Sequence, residues 1–283
     1  MKKLLSIFFI ILFFSCSKKN ENDLPRLLVP EQENVVEVNS KEMLNIYDYF
    51  PIGFNFTENL EVKELRYMFD SVRVKKIPFD SVLPKFNFKI IIDTSYIIAE
   101  SRFEYKFLPR PKNVIQDGLI NGKIPTEFDQ KKSMEIINEY IKNKNKLTET
   151  KVECYPLLIY NNSDKDAFIN SEFIQEAKDI DGKWKPIEFT FEYEMCGTGK
   201  GHQSILDPKK YAAFAIIKYN GDFKTKIRIK LRNNKHIYYS NEIEGSINRS
   251  QFNQNFCKTF LESYGSNVNM ENFEDYKKSI FLN

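Results

Sequence analysis

The 283-residue chain holds one tryptophan, two histidines, four cysteines, ten glycines and eleven prolines. So little glycine and proline excludes a collagen-like or low-complexity chain. The two histidines, His202 and His236, fall on different segments without carboxylates at ligand spacing, which argues against a zinc site. No Gly-x-Ser-x-Gly elbow occurs. The one glycine-dense stretch, Cys196-Gly197-Thr198-Gly199-Lys200-Gly201-His202, lacks the glycine spacing of a phosphate-binding loop and has no Ser or Thr after Lys200. A glycine-rich connection explains it better than a thiol nucleophile, Cys196, with His202 as its base. An excess of one charge is also missing, with 42 Lys+Arg against 39 Asp+Glu. No nucleic-acid partner and no cofactor is expected from these residues. What is abundant is aromatic: 25 Phe and 15 Tyr, within a 42% hydrophobic and 29% charged composition. Such a chain is neither a disordered tail nor a polytopic membrane protein, and its length suits one large or two ordinary domains.

The first fifteen residues read as a secretory leader. Lys2 and Lys3 form a charged start, and Leu4 to Phe14 form an apolar run broken only by Ser6. As a helix that run would reach about 16 Å, against about 30 Å of bilayer hydrocarbon. Its end, Phe13-Phe14-Ser15-Cys16, resembles the lipobox of bacterial lipoproteins. The resemblance implies that Cys16 is acylated and becomes the new N-terminus, so that the membrane is a partner through an N-terminal lipid. Ser17 rather than Asp after the cysteine implies the outer membrane, with the periplasmic face or the cell surface left open. Loss of Lys2 and Lys3 would leave 40 basic against 39 acidic groups, so the basic excess mostly belongs to the leader.

Residues 16–34 are polar and proline-punctuated and read as a tether. Residues 35–150 read as a β-rich N-terminal domain: Arg102-Phe103-Glu104-Tyr105-Lys106-Phe107 alternates strictly, and a capping box at Thr126 to Asp129 precedes an amphipathic helix at about 127–144. Residues 151–250 carry turn signals between strand-like runs. Asp181-Gly182 is expected to join Phe173–Ile180 to Lys183–Tyr193, Asn220-Gly221 to join Tyr211–Tyr219 to Asp222–Arg232, and Asn233-Asn234 to turn into His236–Ile243. About six strands in roughly ninety residues is sandwich spacing, and the pattern resembles an immunoglobulin-like β-sandwich. Residues 251–283 read as helical. The expected class is therefore mainly β with a few helices, α+β.

Several constellations carry candidate chemistry. Lys224, Lys226, Arg228, Lys230 and Arg232 share one face of a strand at about 6.6 Å spacing, a possible ladder for an anionic surface glycan. The competing expectation is a charge-zipped face in which Glu188, Glu192 and Glu194 lie on a neighbouring strand. Asp179-Ile180-Asp181-Gly182 looks superficially like a calcium loop but is better explained as a hairpin turn. Tyr238 and Tyr239 are adjacent, so one must point away from the core. With Trp184, Lys226, Arg228 and Lys230 they are the candidate binding residues. Outside the cytoplasm two of Cys154, Cys196 and Cys257 should pair, and Cys196 with Cys257 is the favoured pairing. These features point to a non-enzymatic lipoprotein presenting a β-sandwich to an envelope protein or surface glycan. The alternative is an exported hydrolase of glycans or peptides whose catalytic groups are dispersed in sequence.

Overall fold

The computed structural model describes residues 24–46, 49, 51–62, 74–76, 83–104, 131, 134, 135, 138, 148–169, 172–190, 202–263 and 273–283. Its strands are β1 (Leu27–Leu28), β2 (Val35–Val36), β3 (Leu44–Asn45), β4 (Pro51–Phe56), β5 (Leu60–Glu61), β6 (Val74–Lys76), β7 (Phe88–Ile92), β8 (Ile98–Glu104), β9 (Thr148–Asn161), β10 (Ala167–Ile169), β11 (Phe173–Lys178), β12 (Trp184–Pro186), β13 (Glu188–Phe189), β14 (His202–Leu206), β15 (Tyr211–Ile217), β16 (Phe223–Asn233), β17 (His236–Tyr239) and β18 (Ile243–Ile247). Two α-helices follow, α1 (Asn255–Ser263) and α2 (Phe273–Ile280). The fold is mainly β with a small helical part, the expected class. Of the helix expected at about 127–144, only Lys131, Met134, Glu135 and Asn138 are described, and all four are helical.

Two larger sheets make the frame. Sheet I runs β2-β9-β15-β4, with β7 and β8 also paired to β9. Sheet II runs β12-β11-β16-β17, with β18 also on β16. They share one core, in which Ile90, Leu157, Ile159 and Phe214 of sheet I meet Phe173, Ile229, Leu231 and Tyr238 of sheet II. Phe173 packs edge-on against Phe214 with centroids 5.1 Å apart. The composition of β15 shows why its sheet is central. Ala212, Phe214 and Ile216 face this core, while Ala213 and Ala215 face a second cluster with Leu27, Ile52, Ile98 and Leu158. A strand buried on both faces has no polar side, and Tyr-Ala-Ala-Phe-Ala-Ile-Ile has none.

The long strand β9 corrects the expected boundary at residue 150. Its first half pairs with β8 from Ile98↔Cys154 to Glu104↔Thr148, and its second half with β7 from Phe88↔Asn161 to Ile92↔Leu157. On its other edge β2 and then β15 follow in the same way. Residues assigned by sequence to an N-terminal domain thus complete the sheet of the segment after 150, and the sandwich does not belong to 151–250 alone. Pro156 sits where β8 hands over to β7. Its missing N–H faces that gap, and its carbonyl accepts Asp93 N–H at 3.0 Å, so a proline is tolerated inside a central strand.

The expected hairpins divide. Asp181-Gly182 is a hairpin turn: β11 pairs antiparallel with β12, and Gly182 has φ +72°. Asn233-Asn234 likewise turns β16 into β17, with Asn234 at φ 57°. Asn220-Gly221 is not a hairpin turn, because β15 pairs with β9 and β4 while β16 pairs with β11, β17 and β18. The chain crosses there from sheet I to sheet II. Gly221 is needed for contact: a Cβ on it would lie 2.1 Å from the Ile247 carbonyl carbon.

Residues 24–34 belong to the body rather than to a free tether. Leu27 is buried in the second cluster, its N–H donates to Tyr96 Oη at 2.8 Å, and β1 pairs in parallel with β5. A leucine with a strand partner is held by apolar burial that a polar linker lacks. At the other end, Cys257, Leu261, Ile280 and Phe281 pack with Ile174 and Phe189, so the helical segment covers part of sheet II.

Candidate functional site

The outer face of sheet II brings three expected binding residues together. The Arg228 guanidinium carbon lies 4.1 Å from the Trp184 ring centre and 3.8 Å from the Tyr239 ring centre, so the cation is held between two aromatic rings. Register places them there: Trp184 on β12 is opposite Lys178 of β11, Arg228 on β16 is opposite Glu176 of β11, and Tyr239 on β17 is opposite Lys230. Arg228 donates from Nε and Nη2 to Glu176 Oε2 at 2.9 and 2.7 Å. Lys178 Nζ stands 4.8 Å from the Trp184 ring centre. Lys178 and Lys226 share Glu242 at 3.2 and 3.3 Å, and the two lysines draw its carboxyl below the usual range.

The basic strand is therefore charge-zipped, but by different acids from those expected. Glu172, Glu176 and Glu242 bind it, while Glu188 is buried elsewhere and Glu192 and Glu194 lie outside the described residues. Adjacent pairing, not spacing in the chain, selected the partners. Lys230 is also corrected as a ligand group. It is buried, donating to Phe281 O at 3.0 Å and Asn283 Oδ1 at 2.6 Å, and burial lowers its pKa. It ties down the C-terminus. Tyr238 points inward, its Oη accepting Phe86 N–H at 2.9 Å, whereas Tyr239 remains 47% exposed. Of the adjacent pair, only Tyr239 presents its ring to solvent.

Tyr239 also walls an open groove of about 560 Å³ with Leu24, Phe88, Lys89, Ile90 and Asn241. This groove lies where the edge strands β7 and β17 meet. Asp93 N–H donates to Pro156 O and Asn162 N–H to Asn87 O, so alternate residues of β7 face β9. The peptide groups of Phe88, Ile90 and Ile92 face the other way. Asn241 satisfies Ile92 as a strand would, accepting its N–H at 2.7 Å and donating to its carbonyl at 3.2 Å. Phe88 and Ile90 present their backbone groups along the groove.

A second polar constellation, missed by sequence reasoning, lies between the sheets. Glu188 accepts the hydroxyls of Tyr49 and Tyr219 at 2.7 and 2.6 Å, and the Gln175 N–H and side-chain amide at 2.8 and 3.0 Å. Burial raises its pKa above the usual carboxylate range, opposed by the two tyrosines, the Gln175 N–H and Arg102. Burial beside Glu188 also raises both tyrosines. Glu188 is fully enclosed, and its oxygens are engaged by four donors. This is a polar seam that locks two sheets together.

The remaining sites are quickly placed. Asp179 accepts the N–H groups of Asp181 and Lys183 through Oδ1, each at 2.9 Å, and pairs with Lys185 at 2.7 Å. Those bonds are the hairpin turn that its sequence suggested. Cys257 is a buried free thiol, as is Cys154, so Cys257 is not half of the expected disulfide. It faces Leu261 and Phe281 in the helical cluster, where an apolar lining serves a thiol without a partner. Cys196 and Cys16 lie outside the described residues. Among the described residues no helix is long and apolar enough to cross a membrane, and no group of three His, Cys, Asp or Glu gathers at metal-binding range. No family model matches this chain, and no curated protein or solved structure matches it either.

Proposed function

We propose that the protein is an outer-membrane lipoprotein, anchored through Cys16, whose β-sandwich binds an envelope component, a surface glycan or an envelope protein, without transforming it. The anchor rests on the resemblance of Phe13 to Cys16 to a lipobox. The observation that carries the binding reading is Tyr239. An aromatic ring left 47% exposed, braced on one side by Arg228, forms a rigid wall of the groove beside β7. A fixed ring beside open polar groups suits a ligand that stacks and hydrogen-bonds, at little entropy cost to the protein. The hydrolase reading draws no support from the most enclosed carboxylate, because Glu188 is sealed from any cleft and already engaged.

Metabolic labelling with a fatty-acid analogue is expected to mark the wild type and not Cys16→Ala, and an unlabelled wild type would overturn the anchor. Capture from envelope extract with the lipidated protein tests the binding site. Tyr239→Ala should lose whatever wild type retains, stoichiometric protein or enriched glycan, by about tenfold, while Lys258→Ala on α1 should not. Retention unchanged by Tyr239→Ala would sink the site.

A further inference from the structure

The place where the chain joins the body sets which surface lies nearest the anchor. Leu24 lies in the groove and packs on the outer cluster of sheet I, and Leu27 is bonded to Tyr96. Only residues 17–23 separate it from Cys16, a reach of at most about 29 Å fully extended. A body of this size is about 45 Å across. The surface around Leu24 and Leu27 is therefore the part of the body held nearest the anchor.

The surface around that attachment has an unusual composition. Leu28 and Ile97 are 51% and 47% exposed, and each is one residue from the contact between Leu27 and Tyr96. The Arg26 guanidinium lies over the Tyr96 ring at 4.8 Å. Lys89 is exposed and alternates with Ile91, which packs on the same outer cluster as Leu24 and Tyr96. Exposed aliphatic groups, an aromatic ring and cations at one corner match the amphipathic content of a bilayer's headgroup zone. Glu61, the register partner of Leu28, is exposed beside it and limits the contact to that zone.

We infer that the corner of sheet I formed by Arg26, Leu28, Lys89 and Ile97 is a lipid-contact surface that rests on the phospholipid headgroups. The inference rests on the lipid-anchored reading and adds a contact surface to it.

The test uses the full lipidated protein in phospholipid vesicles whose headgroups carry a nitroxide quencher, and the single native tryptophan makes a clean background possible. In Trp184→Phe, a reporter is placed by Leu28→Trp or Ile97→Trp at the corner, and by Thr259→Trp on the exposed side of α1. Emission from both corner reporters should fall to about half of its value in vesicles without the quencher, with the α1 reporter unchanged. Protein that floats with the vesicles while corner and α1 reporters respond alike overturns the contact surface and leaves the anchor standing. Protein that fails to float with them overturns both.

Discussion

The hydroxyl of Tyr219 donates to Glu188 Oε1 at 2.6 Å, joining the end of the β15 segment to an acid carried on β13. Tyr49 adds a second hydroxyl to the same oxygen at 2.7 Å, and Gln175 extends the chain to Ile217 O at 2.9 Å. The seam fixes one lateral position of sheet I against sheet II. Tyr219→Phe keeps the ring and leaves the buried carboxylate one donor short, an expected loss of about 1–3 kcal/mol in urea unfolding.

The same carboxylate gives a pH signature. Burial raises the folded-state pKa of Glu188 above its unfolded value, so between the two the folded protein holds a proton that the unfolded chain has released. Its contribution is greatest at or below the unfolded pKa and is lost as pH rises through the folded pKa. The stability gap between wild type and Glu188→Gln should therefore narrow from mildly acid to neutral pH, by at most about 1.4 kcal/mol per pH unit. A gap that widens over that range would show that the hydrogen bonds outweigh burial.

The two glycines of the apparent hairpin turns should respond differently to alanine. A Cβ at Gly221 would stand 2.1 Å from the carbonyl carbon of Ile247 and 2.3 Å from the nitrogen of Asn248, and backbone cannot yield cheaply. Gly182 has open space and only its φ of +72° to satisfy. Expected losses are about 3 kcal/mol for Gly221→Ala and about 1 kcal/mol for Gly182→Ala, read from denaturation midpoints. Equal losses would contradict the crossover.

Cys257 is predicted to be chemically silent in the folded protein. Burial pushes its thiol up to about 12, only partly countered by Lys277. Alkylation of native protein at mildly alkaline pH should spare Cys257 and Cys154, and denaturant without reductant should expose both to the reagent. A requirement for reductant at Cys257 would restore the disulfide that the sequence suggested.

Much of this architecture is legible locally. Alternation and apolar runs mark the strands, Asp181-Gly182 marks a turn because the positive φ is a local demand, and adjacent Tyr238 and Tyr239 must diverge across a strand. What is not legible depends on distant residues. Gly221 resembles a turn glycine because the backbone of Ile247 that crowds it is remote in sequence. Glu188 alternates like a surface acid, and only Tyr49, Gln175 and Tyr219, each from a different segment, make its burial tolerable. The cage around Arg228 depends on three strands in register, so composition alone named its members without assembling them.

The position of β9 has a consequence for how the molecule comes into being. Its neighbours arrive from Val35–Val36, Phe88–Ile92, Ile98–Glu104 and Tyr211–Ile217, so most of its pairing spans long stretches of chain. A chain delivered from its N-terminus cannot complete this sheet until β15 has emerged, and loop closure over such separations is slow. Until then the apolar face of β9 is without its cover. About fifty residues separate the end of β9 from the start of β15, and over that interval the uncovered face is open to wrong pairing.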